Sequence, residues 1–102
     1  MLIGYARVST QLQDNATQID ALKKSGCETI FEETMSGGRW ERPKLQELLK
    51  HIRKGDTVVV WKLDRLSRSL KDLLFIMEQI EIKGAGFKSL TESIDTTTSA
   101  GK

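Results

Sequence analysis

The sequence predicts an α/β fold: a three-layer sandwich around a mostly parallel sheet of four to five strands. Three observations point there. Short apolar, β-branched runs recur along the chain, segments with apolar residues at helical spacing lie between them, and the two kinds alternate strictly, strand first and strand last. At 102 residues the chain can bury one modest core but not two, so a single domain is expected.

Residues 2–8 form the first apolar run, compatible with a strand buried on both faces. The period then changes. Leu12, Ala16, Ile19 and Leu22 recur at helical spacing, the basic pair Lys23 and Lys24 suits a helix C-terminus, and Gly26 suits the residue just beyond it. Two starts fit this helix: Thr10 with Gln13 makes a capping-box pattern, and Asn15 suits the cap of a shorter helix. Either start puts Ser9 at a strand-to-helix junction.

Residues 29–32 read as a second strand, and 34–41, polar and containing Gly37-Gly38, as a loop. Pro43 suits the first turn of a helix whose Leu45, Leu48, Leu49 and Ile52 fall at i, i+3, i+4 and i+7 before Gly55 ends it. Residues 57–61 are almost purely β-branched and predict a central buried strand. Ser69 with Asp72 marks the next helix start, with Leu70, Leu73, Leu74, Met77 and Ile80 as its inward stripe and Gly84 near its end. Phe75 and Ile82 project away from that stripe, either as scattered surface apolars or as a contact face for another subunit or segment. Residues 86–90 give a last short strand, and 96–102 are small and polar with little to bury.

Sixteen basic and 14 acidic residues leave a net charge of +2, so there is no global basic field and any contact with a polyanion must be local. The single cysteine, Cys27, excludes an internal disulfide, fits a reducing compartment and reads as a small buried apolar residue before a strand. The 2–8 run is interrupted by Gly4 and Arg7, lacks a basic leader and is too short to cross a membrane, so a soluble cytoplasmic protein is expected.

In parallel sheets ligands gather outside the carboxyl ends of the strands, and Ser9 and Arg65 both fall just past such ends. A serine hydroxyl is a weak nucleophile that needs activation. The only histidine, His51, lies among Lys50 and Arg53 near a helix C-terminus and reads as a surface residue, not as a base. No His/Cys cluster suits zinc and no close carboxylates suit magnesium, so neither metal nor cofactor is expected. Positive charge must then come from arginine.

Arg7, two residues before Ser9, shares a strand face with it if the strand persists that far, and Arg65 and Arg68 point to one side if they lie on one helical turn. A hydroxyl among guanidinium donors suits attack on a phosphodiester, because fixed positive charge stabilises the more highly charged transition state. Each residue also has a structural reading: Asp64 and Arg68 as a surface ion pair, Arg7 as paired inside the sheet, Ser9 as a turn or cap. A second functional reading is a non-catalytic α/β phosphate-binding or regulatory module. Against it, no glycine-rich cradle follows the first strand, and Ala100-Gly101-Lys102 lacks the upstream glycine of a phosphate loop.

Tyr5-Ala6-Arg7-Val8-Ser9-Thr10 with Gln13, and Leu63-Asp64-Arg65-Leu66-Ser67-Arg68, resemble the nucleophile motif and the second arginine motif of the serine site-specific recombinases, the resolvase and DNA-invertase family. Ser36-Gly37, Arg42-Pro43 and Gly55-Asp56 match between them in order, and Met1-Leu2-Ile3-Gly4-Tyr5 with Val60-Trp61-Lys62-Leu63-Asp64-Arg65 is most similar to the invertase branch. The resemblance covers essentially the whole chain. It implies that Ser9 attacks a DNA phosphodiester, forming a 5′-phosphoserine link and freeing a 3′-hydroxyl, while Arg7, Arg65 and Arg68 hold the phosphate. Gln13, Ser36, Arg42 and Asp64 are implied as supporting residues. Asp64 is either an orienting partner or a proton donor to the leaving oxygen, with orientation favoured because an adjacent arginine favours the charged carboxylate over a proton-bearing acid. No cofactor is implied; the partners are DNA and, in the full-length protein, further copies of the chain as a dimer and synaptic tetramer, with no membrane. Residues 1–95 would be the catalytic domain and 96–102 a tail leading into a dimerisation helix and a helix-turn-helix domain absent from this sequence.

Overall fold

The computed structural model describes residues 1–8, 15–34, 43–67, 69–92 and 94–95. In chain order the elements are β1 (Leu2–Val8), α1 (Asn15–Lys24), β2 (Thr29–Thr34), α2 (Pro43–His51), β3 (Thr57–Val60), α3 (Leu63–Leu66), α4 (Leu70–Ile82), β4 (Gly86–Ser89) and β5 (Ile94–Asp95). The sheet runs β2-β1-β3-β4-β5, with β1 to β4 parallel and β5 antiparallel to β4. β2 extends two residues past the predicted 29–32 span, and β5 is an edge strand that the sequence pattern did not reveal.

Because successive strand residues point to opposite faces, β1 divides its side chains between two layers. Ile3 and Tyr5 join Val58, Val60 and Phe87 under Leu45, Leu48 and Ile52 of the α2 segment, Leu66 of α3, and Ile76 and Ile80 of α4. Ala6 joins Val59 under Leu22 of α1 on the opposite face. That second layer is close-fitting. A Cβ on Gly4 would stand 3.2 Å from Ile30 Cγ1 and Leu22 Cδ1, and 3.3 Å from Cys27 Sγ.

Two helices end alike. Gly26, with φ of 99°, follows α1, where Cys27 N–H donates to Leu22 O (3.2 Å) and Gly26 N–H to Lys23 O (3.1 Å). Gly84, with φ of 76°, closes α4 through Ala85 N–H to Ile80 O and Gly84 N–H to Glu81 O. Both glycines take a left-handed conformation that a side chain would strain, and the paired bonds satisfy the last carbonyls of each helix.

Two predicted helix faces need correction. In α1 the buried residues are Gln18 and Leu22, whereas Ala16 is exposed and Ile19 half-buried. In α4 the inward residues are Ile76 and Ile80 with Leu73 and Met77 against them, whereas Leu70 and Leu74 are 70% and 58% exposed. The true stripe is turned by roughly 45° from the predicted one at about 100° per residue. α4 carries apolar residues around much of its circumference, so periodicity admitted both choices and packing against the sheet selected one. Phe75 and Ile82 are exposed, as predicted. Among the described residues no helix is long and apolar enough to cross a membrane.

Candidate active site

The order β2-β1-β3 means that the chain leaves β1 towards one edge and returns to its other side, so the switch point of the sheet lies between β1 and β3. Crevices outside the carboxyl ends of such strands are the usual ligand sites of α/β sheets. Here the two carboxyl ends are Arg7-Val8 on β1 and Val59-Val60 on β3, the second followed by Trp61 and Lys62 and then α3.

Arg7 is only 3% exposed. Its Nη2 donates to the backbone carbonyl of Asp64 at 2.9 Å, joining the end of β1 to the single turn of α3. The two motifs singled out in the sequence are therefore in direct contact. The Asp64 carboxylate is not the partner: its side chain is exposed, and the peptide oxygen makes the bond. On the neighbouring strand Glu33 stands in register with Arg7 and is also buried. Glu33 Oε1 accepts from Tyr5 Oη (3.4 Å) and from Leu45 N–H (3.1 Å), the latter an otherwise orphan donor in the first turn of α2. A buried guanidinium and a buried carboxylate thus stand in register on adjacent strands, each with a hydrogen-bond partner that offsets part of the cost of burial.

The start of α3 is held from the other side. Lys62 provides no side-chain cap; instead Glu92 Oε1, beyond β4, accepts from Leu63 N–H at 3.3 Å, from Thr91 Oγ1 at 2.9 Å and from Ser89 Oγ. Burial pushes the Glu92 carboxyl up, but the hydrogen bonds from Ser89, Thr91 and Leu63 outweigh it and hold the group below its ordinary value. α3 then stops after Leu66. Ser67 is extended (φ −164°, ψ 148°), its Oγ donates to Ser69 O and accepts from Ser69 N–H, and Ser69 caps α4 by accepting from Asp72 N–H at 3.3 Å. α3 therefore carries Arg65 but ends at Leu66, and whether Arg68 shares a side with Arg65 falls outside the described residues.

Of the residues read from the sequence, Arg7 and Asp64 are brought together. Arg65 lies in α3, its side chain outside the described structure, and Ser9, Gln13, Ser36, Arg42 and Arg68 lie outside the described residues. Val8 and Asn15 bracket Ser9 and Gln13. Sequence reasoning passed over Gln18, Glu33 and Glu92. Gln18 and Glu33 carried a signal: each is a polar residue on a face that packing requires to be buried, Gln18 one turn before Leu22 and Glu33 two residues after Phe31.

Other reactive groups lie elsewhere. His51, at the far end of α2 from Glu33, is exposed with its ring 6.0 Å from that of Phe31. Burial pushes the Cys27 thiol up, against smaller pulls from the Ser25 hydroxyl and Lys88, which suits an unreactive packing residue. Among the described residues no three His, Cys, Asp or Glu side chains are grouped to hold a metal ion.

The family model described as "Resolvase, N terminal domain" matches residues 2–102. The chain is 52% identical over 102 residues to the DNA-invertase of Escherichia phage P1, covering all of this chain and 55% of that protein. It is 52% identical over the same length to the serine recombinase gin of Escherichia phage Mu, of which it covers 53%. The chain thus spans about half the length of these relatives. Its fold matches the N-terminal catalytic domain of TP901-1 integrase with a TM-score of 0.79 at 35% identity, covering 98% of this chain and 84% of that one.

Proposed function

Because this chain belongs to the family of resolvase N-terminal domains, the catalytic domain of serine recombinases, we propose that it cuts and rejoins DNA through a covalent link to Ser9. The Ser9 oxygen bonds to phosphorus, the bond from phosphorus to the 3′ oxygen breaks, the serine proton is given up and the 3′ oxygen takes one. One phosphoester replaces another, so rejoining to a new 3′-hydroxyl needs no energy donor. Arg7, Arg65 and Arg68 hold the phosphate oxygens, where losing one such donor typically costs about 10²–10³ in rate. Gln13, Ser36 and Arg42 support them, and Asp64 orients its neighbours.

The observation that carries this reading is the bond from Arg7 to the Asp64 carbonyl, which puts the strand end before Ser9 against the helix bearing Arg65. Residues 1–95 act as the catalytic unit, 96–102 lead onward, and copies of the protein assemble on DNA in the cytoplasm as a dimer and then a tetramer. The exposed row Leu70, Leu74, Phe75 and Ile82 on α4 suits such assembly.

The test uses the full natural chain incubated with sheared DNA of its own genome, then denatured, with protein-linked DNA recovered and its ends sequenced. Linked 5′ ends at defined positions, formed equally in a metal chelator and abolished by Ser9→Ala, are expected. An adduct that survives Ser9→Ala, or phosphate-dependent DNA binding with no adduct, overturns the reading in favour of a binding module.

A further inference from the structure

β3 ends at Val60, which pairs with Tyr5, while β1 continues beside β2 as far as Val8 opposite Thr34. Along β1 the backbone bonds alternate sides. Met1 O accepts from Thr57 N–H on the β3 side, and Leu2 O accepts from Glu28 N–H on the β2 side. By that alternation the N–H and C=O of Arg7 point to the β3 side, where β3 has already turned away into Trp61 and α3. A buried peptide group in that position must find both a donor and an acceptor.

Gln18 supplies both. Its side chain, fully buried on α1, accepts from Arg7 N–H at 3.0 Å and donates from Nε2 to Arg7 O at 3.0 Å. A primary amide carries the same donor and acceptor as a peptide unit, and only one orientation of it satisfies both bonds. α1 thereby takes the place of the missing strand for a single residue, the one that carries the buried guanidinium and lies two positions before Ser9.

We infer that Gln18 is a positioning residue for the phosphoryl-transfer chemistry: its amide fixes the end of β1, so that the Arg7 guanidinium and the Ser9 hydroxyl are presented to one phosphate. This rests on the reading of Ser9 and Arg7 as catalytic. Gln18 touches neither phosphate nor nucleophile and acts through the Arg7 backbone. A displacement of about 1 Å at a reacting group can cost about 10²-fold in rate, so a strand end freed on one edge is expected to slow the reaction more than it weakens DNA binding.

The test measures the rate of adduct formation at saturating DNA, with the full natural chain and a DNA site taken from the ends captured on the wild-type protein. Gln18→Met keeps the length and removes both bonds. Gln18→Glu keeps the acceptor but sets a carboxylate against the Arg7 carbonyl. Both are expected to lower the rate by about 10- to 100-fold, with DNA affinity changed less than about threefold. A protonated carboxyl regains an O–H donor, so the Gln18→Glu rate recovers as pH falls, while Gln18→Met has nothing to protonate and does not. Leu22→Ala, one turn along the same helix and fully buried, separates positioning from stability: it lowers the melting temperature but leaves the rate at saturating DNA, measured well below melting, within about twofold. Wild-type rates in both Gln18 variants, or an equal slowing by Leu22→Ala, overturn the inference. If wild type forms no Ser9-dependent adduct, the catalytic reading fails first and the positioning role with it; amide exchange then shows whether Arg7 N–H loses protection in Gln18→Met, which locates the failure in the chemistry and not in the clamp.

Discussion

The two faces of the sheet are held by different means. On the face covered by α2, α3 and α4 a broad apolar layer, from Ile3 and Tyr5 across Val58 and Val60 to Phe87, is closed by leucines and isoleucines from three helical segments. On the other face α1 lies over Ala6 and Val59, seated closely above Gly4 and joined to the sheet by an amide that bonds the backbone. The first face supplies most of the burial and therefore most of the stability. The second contributes less area but sets where the end of β1 lies, and with it the segment that proceeds to Ser9.

Removing mass from the broad face should have the largest effect. Phe87→Ala is expected to cost about 3–5 kcal/mol, read as a shift in the denaturant midpoint, because the ring is fully buried within that layer. A loss under about 1 kcal/mol would mean that the layer collapses around the cavity, and the contrast between faces would weaken.

Adding mass to the close-fitting face should cost less. Gly4→Ala meets three side chains at 3.2–3.3 Å, and overpacking of this kind costs about 1–3 kcal/mol, offset in part by about 0.4–1 kcal/mol from the stiffer unfolded chain. A net loss of about 1–2 kcal/mol is expected. Unchanged or raised stability would show that α1 lifts freely from the sheet, contrary to its role as a fixed seat for Gln18.

The smallest effect belongs to the rim beyond both faces, where Glu92 caps α3. Its folded-state carboxyl is held below its ordinary value of 4.5. The stabilisation is therefore fully present above that value and is lost as pH falls through the depressed folded-state one. Because Glu92 is exposed, it amounts to less than about 1 kcal/mol. Glu92→Gln should flatten this part of the acid limb of a stability–pH curve relative to wild type. An identical acid limb in the variant would remove Glu92 as the tie between the rim and α3.

Periodicity alone located β1, α2, β3 and the start and end of α4, because each has a strong apolar pattern bounded by a cap, a proline or a left-handed glycine. It failed where pattern was weak or excessive. β5 is two residues long and owes its existence to pairing with β4. The inward face of α4 was ambiguous because apolar residues run around much of the helix. The site divided in the same way. Arg7, Asp64 and Arg65 stood out through charge placed at strand ends, whereas Gln18 and Glu33 look like ordinary polar residues until their burial is known, and Glu92 until its partners are.

By itself the sequence determined the alternation of strands and helices, the parallel sheet that follows from it, and the placement of a serine and arginines at strand ends, since all of these depend on local spacing and on the chirality of crossovers. Tertiary structure alone decided that β3 turns away before β1 does. Because of that difference in length the β1–β3 pairing ends at Tyr5 and Val60, and a glutamine eleven residues after Arg7 meets the Arg7 peptide. Such an assignment depends on which buried donor and acceptor remain unmatched after the strands have paired, a quantity defined only once the chain has folded.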